Sequence, residues 1–319
     1  MNSEVELDSI IEVISRANKI GIFTHISPDG DAIGSSLAFY LGLLQLKKNV
    51  EIVTDEFSKC FSFLPGIGEI KKETNSAFDV FVCLDCATRG RLFDPLGAMD
   101  KSMVSVAIDH HASNTFFANY NYVEGSSPAT CKTLVRVFKR LGISITKEIG
   151  ECLMAGIITD SGGFRYDTVD DETFEFAALM LDNGVNISDI YYRTFDVKTK
   201  SQFTLSTIAT SHLKFYAHDQ IALTYITRED MKKAKAQTGD HEGIVNVGRN
   251  IEGVEVSIFL REVEDDFFRV SLRSNDYVDV SEVASFFNGG GHTKAAGCDI
   301  HESLDVAIKK LVKETTKKL

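Results

Sequence analysis

His25-Ile26-Ser27-Pro28-Asp29-Gly30-Asp31 closes the apolar run Ile20 to Thr24 and opens a stretch of helical periodicity. The run IGIFTH reads as a short buried strand, being apolar and bounded by Pro28 and Gly30, which favour a turn. Beyond it Ile33, Leu37, Tyr40, Leu41 and Leu44 recur at helical spacing, which predicts a helix starting near Asp31. His25, Asp29 and Asp31 therefore share one tight strand-to-helix turn and are candidate metal ligands. The unpaired N–H groups of such a helix start also favour anions, phosphate included.

Other segments end in the same residue types. FDVFVCLD ends in Asp85, VSVAID ends in Asp109 followed by His110 and His111, and LMAGIITD closes on Asp160 before the glycine-rich SGGF. In an open parallel sheet, function collects beyond the carboxyl ends of the strands. So many carboxylates in one crevice repel one another unless cations neutralise them, and a pair of divalent ions with Asp85 as the bridge does so. A lone Asp at a strand end is more often a cap or turn former, and that reading stays open for Asp109. Independent caps give no reason for the whole set to recur at converging strand ends.

At 319 residues with 44% hydrophobic side chains, the chain is long enough for two cores. No window approaches the ~18 apolar residues of a membrane span, and the acidic start MNSEVELDSI lacks a secretory pattern, so a cytoplasmic protein is expected. Six scattered cysteines fit reduced thiols, and the Cys83–Cys86 pair has no second pair to complete a zinc ribbon. A net charge of −12 argues against coating long nucleic acid. Residues 1–190 carry 16 Lys and Arg against 27 Asp and Glu, net −11, while residues 191–319 carry 18 against 19, net −1. The acidic half suits cations, and the near-neutral half suits phosphates.

In chain order, Ser3 to Glu6 has the pattern of a capping box opening an amphipathic helix. Strands and helices then alternate as a parallel sheet requires. In SPATCKTLVRVFKRLG, Ser126 or Ser127 can cap, Pro128 suits the first helical position and Gly142 stops the helix. A helix over about 147–158 leads to Asp160. Three helices fill Asp171 to about Ser211, the last expected to link two domains. After it LKFYAHDQIALTYI, VEVSIFLREV and FFRVSLRS read as strands, a helix at about 280–287 precedes Gly289-Gly290-Gly291-His292, and a last helix closes the chain. Three consecutive glycines let a backbone approach a ligand closely and leave N–H groups for phosphate oxygens.

These motifs together resemble the DHH phosphoesterase superfamily. HISPDGD is similar to its first motif, Asp85 to its second, DHH at 109–111 to its third and Asp160 to its fourth; SLRS at 271–274 and GGGHTKAAG at 289–297 resemble the DHH-associated C-terminal domain. The resemblance implies an α/β fold: a DHH domain over 1–190 built on a mainly parallel sheet flanked by helices, a helical linker over 191–212, and a smaller α/β substrate-binding domain over 213–319, with the active site in the cleft between the domains. It also implies that His25, Asp29 and Asp85 hold one ion, and Asp31, Asp85, His110 and Asp160 the other. An oxygen-rich donor set with imidazoles and no thiolate suits manganese, with magnesium the alternative. Asp109 is expected to orient an imidazole, and His111 to contact phosphate or act as general acid. Arg273, His292 and the three glycines are expected to contact substrate, with Arg261 and Lys294 as weaker candidates. Of Arg89 and Arg91 at least one is a surface charge, and Arg89 is assigned to substrate.

The implied activity is manganese-dependent hydrolysis of very short oligoribonucleotides, and of 3′-phosphoadenosine 5′-phosphate to AMP. Cleavage of cyclic or linear di-adenylates is the enzymatic alternative. A catalytically inactive nucleotide-binding regulator is the alternative of another class, but its mark would be a missing ligand and none is missing. Expected partners are short RNA or small nucleotides, with no membrane and no long nucleic acid; a homodimer is left open.

Overall fold

The computed structural model describes residues 3–237 and 239–319, with side chains from Val5 onward, and the expected Ser3 side-chain cap lies outside the described side chains. Two compact units are formed, Met1–Val197 and Lys198–Leu319. The helix Lys200–Ser211, read from sequence as an interdomain link, packs within the second unit, where Leu205 and Ala209 are fully buried with Ile226 and Phe259.

The first unit is built on six strands: β1 (Lys19–Phe23), β2 (Asn49–Val53), β3 (Ile70–Lys71), β4 (Val80–Leu84), β5 (Val104–Asp109) and β6 (Tyr120–Val123). They are parallel throughout, in the order β3-β2-β1-β4-β5-β6. Both faces are covered, which is why β4 and residues 20–23 of β1 carry no polar side chain rather than alternating. Ile20, Ile22, Val80, Val82, Val106 and Ile108 enter the main core. Phe23, Phe81, Cys83 and Ala107, at the intervening positions, form a smaller cluster on the opposite face. The strand order reverses between β1 and β4, so the crevice of this sheet opens beyond Phe23 and Leu84.

Two helices set the geometry at that crevice. Gly30–Gln45 and Lys147–Asp160 run antiparallel in close contact, because a Cβ on Gly34 would stand 2.5 Å from the Cys152 carbonyl oxygen, and one on Gly156 would strike Cys131 Sγ. This glycine seam sets Asp31, in the first turn of one helix, beside Asp160, the last residue of the other. Asp160 thus ends a helix, in line with the helical reading of about 147–158. The helix expected to begin at Pro128 runs instead from Thr130 to Leu141, and no serine caps it. Asp31 accepts the Thr130 N–H at 2.5 Å and the Cys131 N–H at 2.9 Å, so a carboxylate 99 residues away serves as the cap. Gly142 ends that helix in the left-handed region at φ 69°.

The second unit has strands β7 (Lys214–Tyr216), β8 (Ile221–Ile226), β9 (Val256–Glu264), β10 (Phe267–Ser274), β11 (Gly290–His292) and β12 (Ala295–His301), in the order β11-β12-β10-β9-β8-β7. Every join is antiparallel except β8 with β9. Even-numbered positions of β10 and β12 pack against the helices Val280–Phe286 and Leu304–Thr316. GGGHTKAAG is not a bare loop: Gly290–His292 pairs along β12, so its residues carry a strand register. The helices Arg228–Ala234 and Val245–Arg249 lie in a stretch that sequence periodicity left unassigned.

The seam yields a test. Alanine at position 34 gains up to about 1 kcal/mol of helix propensity, but overpacking a rigid backbone contact costs about 1–3 kcal/mol. Gly34→Ala should therefore lower the stability of the metal-free protein by about 1–2 kcal/mol in urea unfolding. A midpoint that is unchanged or raised would mean that the two helices separate without penalty.

Candidate metal centre

His25 and Asp85 follow the two strands that flank the reversal of strand order, two positions after β1 and one after β4. Asp85 sits in the left-handed region at φ 55°, a conformation Asp tolerates better than most residues. Its carboxylate is almost completely buried and accepts a hydrogen bond from Thr130 Oγ1 at 3.0 Å. Thr130 has no sequence signal of its own; only the trans-capped helix start brings it here.

Two sets of donor atoms converge on Asp85. His25 Nε2 lies 3.6 Å from Asp85 Oδ2 and 3.9 Å from Asp29 Oδ1. His110 Nε2 lies 3.5 Å from Asp85 Oδ1, 3.9 Å from Asp31 Oδ2 and 3.2 Å from Asp160 Oδ2. His25, Asp29 and Asp85 each offer one donor atom within 4.8 Å of the others, and so do Asp31, His110 and Asp160. Asp85, His110 and His111 form a third such group. Both imidazoles are oriented by backbone: His25 Nδ1 meets the Ile26 carbonyl at 2.9 Å, and His110 Nδ1 meets the Ser127 carbonyl at 3.0 Å. An Nδ1–H donated to a carbonyl leaves Nε2 as the lone-pair atom facing the carboxylates, the tautomer a metal ligand needs.

Asp29 has a second duty. Its Oδ1 caps the helix Gly30–Gln45 by accepting the N–H groups of Asp31 and Ala32, each at 3.1 Å. Asp109 is fully buried and fully engaged, accepting His111 Nδ1–H at 2.7 Å and Asn114 Nδ2–H at 2.6 Å. Asn114 is a further residue that sequence reading missed.

Whether this donor set fits a pair of divalent cations is answered by its electrostatics. Burial pushes the Asp31 carboxyl well above its usual range, with repulsion from Asp85 and Asp160 adding to it. Burial and the charge of Asp29 raise Asp160 to about 7. Burial alone would lower His25, yet hydrogen bonding and attraction to Asp29 and Asp85 lift it to about 11. His110 is raised likewise against its burial, chiefly by Asp160. Among the described residues its Nε2 is buried without a hydrogen bond of acceptable geometry, despite the 3.2 Å approach to Asp160. An orphaned ring nitrogen among carboxylates that resist ionising together is what divalent cations would satisfy, and the donors are oxygen and imidazole only.

Arg89, assigned to substrate from the sequence, has its guanidinium paired with the Asp100 carboxylate, both side chains being exposed. In the second unit Arg273 lies opposite Ala295, and His292 lies opposite the same Ala295 on the other side, so the two side chains share one face with a methyl group between them. Gly291 is required, since it adopts φ 147° and a Cβ would stand 2.5 Å from the Ala295 carbonyl oxygen. A Cβ on Gly289 would clash with the Gly297 carbonyl, whereas at Gly290 it would meet open space.

Residues 19–157 match the DHH family, N-terminal domain, and residues 218–318 match the DHHA1 domain. A protein of Thermus thermophilus named "Bifunctional oligoribonuclease and PAP phosphatase NrnA" is 32% identical over 94% of this chain and 90% of its own length. One of Bacillus subtilis with the same name is 27% identical over 92% of each chain. A crystal structure of an exopolyphosphatase-related protein from Bacteroides fragilis superposes with a TM-score of 0.91 at 31% identity, covering 98% of this chain and 96% of that one.

A metal ligand must give up its proton, and in the metal-free protein the surrounding carboxylates make His25 and His110 hold theirs more tightly than an ordinary imidazole does. Manganese binding should therefore release protons, and affinity should rise from pH 6 to pH 8. Calorimetric titration in two buffers of different ionisation enthalpy reads this directly. Buffer-independent heats with a flat pH profile would remove the imidazoles from the ligand set.

Proposed function

The chain belongs to the DHH family, and we propose that it is a manganese-dependent phosphoester hydrolase of the cytoplasm that degrades very short oligoribonucleotides to mononucleotides and dephosphorylates 3′-phosphoadenosine 5′-phosphate to AMP. The observation that carries this reading is the cluster of donor groups around Asp85 at the reversal of strand order, with His25 and Asp29 on one side and His110, which also neighbours Asp31 and Asp160, on the other. The names of the two relatives above supply the substrate class. Among the described residues no helix is long and apolar enough to cross a membrane, and all six cysteines are free thiols, which agrees with action in a reducing compartment.

Two divalent cations, when bound, supply positive charge to the phosphoryl oxygens and acidify the attacking water. His25, Asp29 and Asp85 would hold one, and Asp31, Asp85, His110 and Asp160 the other. Asp109 fixes the His111 ring through Nδ1–H. Burial would lower His111, but Asp109 and Asp85 raise it, which favours the protonated ring that would serve the leaving oxygen or a phosphate. In the second unit Arg273 and His292, side by side on one sheet face, contact the substrate's phosphate. The net charge of −12 and the absence of tryptophan disfavour a long basic, aromatic groove, so contacts near the chain end should dominate.

Asp85→Asn keeps the volume and the acceptor for Thr130, yet removes the charge common to both groups. Turnover should fall by about a thousandfold or more while the fold is retained. Metal-free stability should not drop, because the charge that disfavours ionisation of Asp31 is gone. Near-normal activity in this variant would refute a shared bridge.

The substrate class is tested by offering the manganese-loaded protein di- to pentaribonucleotides, 3′-phosphoadenosine 5′-phosphate, cyclic di-AMP and long single strands side by side at two salt concentrations. Short oligomers and the bisphosphate should be turned over fastest, with a shallow salt slope. A clear preference for cyclic di-AMP would move the assignment to di-adenylate signals, and rates that rise with length under a steep salt slope would indicate a processive exonuclease.

A further inference from the structure

One cross-strand row of the second unit is electrostatically incomplete. Arg261 on β9 lies directly opposite Arg269 on β10, and Arg269 lies opposite Asp299 on β12. Like charges facing each other across a strand pair destabilise a sheet, so such a pair calls for a compensating anion. Among the described residues the row offers one carboxylate, Asp299, at 3.9 Å from Arg269 Nε. Arg261 is half-buried, and burial together with Arg269 holds its pKa below the usual value. His241, in the loop before the helix Val245–Arg249, faces the same charges. Its Nδ1 is buried with no hydrogen-bond partner among the described residues, and burial, then Arg261, hold the ring at about 4, with Asp240 opposing. At neutral pH the ring is uncharged and can donate one N–H to an anion.

The row also borders a groove. Arg269, Ser271, Gly289, Gly297, Asp299 and His301 line a concavity of about 560 Å³. Arg269 and Arg273 are four residues apart on β10 and so share a face, with their Cα atoms about 13 Å apart by strand rise.

Resting on the function proposed above, we infer that Arg269 and Arg261 form a second phosphate subsite, with His241 beside them and the groove next to Arg269 taking the adjoining nucleoside. It would hold an internal phosphodiester of an oligoribonucleotide whose terminal phosphate lies at Arg273 and His292. A substrate of one phosphodiester is too short to fill both positions, whereas one of three to five nucleotides spans them.

The test compares the intact manganese-loaded protein with Arg269→Gln and with the double variant Arg261→Gln/Arg269→Gln on di-, tri- and pentaribonucleotides. Both variants relieve like-charge repulsion and should keep or slightly gain stability, which a thermal melt records. The ratio of kcat/KM for the pentamer to that for the dimer should fall about tenfold, carried by KM, since one charge-assisted contact is of that order. The salt slope for the pentamer should become shallower by about one unit per lost phosphate contact. An unchanged ratio, or an equal loss at every length, overturns the subsite. Wild-type protein inactive on all three oligomers would instead overturn the underlying function, so the two failures are told apart by the wild-type rates alone.

Discussion

Carboxylate repulsion at the carboxyl end of one parallel sheet is the constraint on which the first unit is built. Asp29, Asp31, Asp85 and Asp160 approach one another there, and the burial of Asp31 and Asp85 removes the water that would otherwise screen those two. The chain meets this cost with interactions that are individually ordinary. Asp29 accepts the first N–H groups of its own helix, Asp31 accepts those of another, and Asp85 takes a hydroxyl. Each carboxylate has lone pairs left over, so capping does not exhaust its capacity to bind a cation.

Packing and chemistry are joined at the glycine seam. Gly34 and Gly156 bring two helices closer than any side chain would allow, and the same approach sets the start of one helix against the end of the other. Asp31 and Asp160 meet there because the helices cross there. A catalytic geometry is thereby held by the main core rather than by a loop. The helix Thr130–Leu141 is drawn in by Asp31, and it carries Thr130 to Asp85.

The second unit has a different economy. The even-numbered face of β10 and β12 is buried under two helices, while on the other face the buried cluster gathers around Ile226 and Phe259 and the odd-numbered positions of β10 and β12 are largely polar. There the small residues Ala295 and Gly297 alternate with Arg269, Arg273 and His292, a surface that a phosphate can approach without displacing bulk. The net charge is −1 over residues 191–319, against −11 over residues 1–190.

The sequence by itself determined the parallel α/β class, the strand ends and the ligand-type residues on them, because a buried strand is a continuous apolar run and a reactive Asp or His at its end interrupts that run visibly. It also determined where Gly142 stops a helix, since left-handed backbone is a local property. Only the tertiary structure decided that Asp31 caps the helix at Thr130, that Thr130 and Asn114 serve Asp85 and Asp109, and that Arg89 turns to Asp100. Those partners are 45 or 99 residues apart, or share short polar loops where several are equally available, so no periodicity records them. The pairing of Arg261 with Arg269 is of the same kind: cross-strand register sets it, and register is a property of the folded sheet, in which a shift of one residue would have turned each arginine to the opposite face.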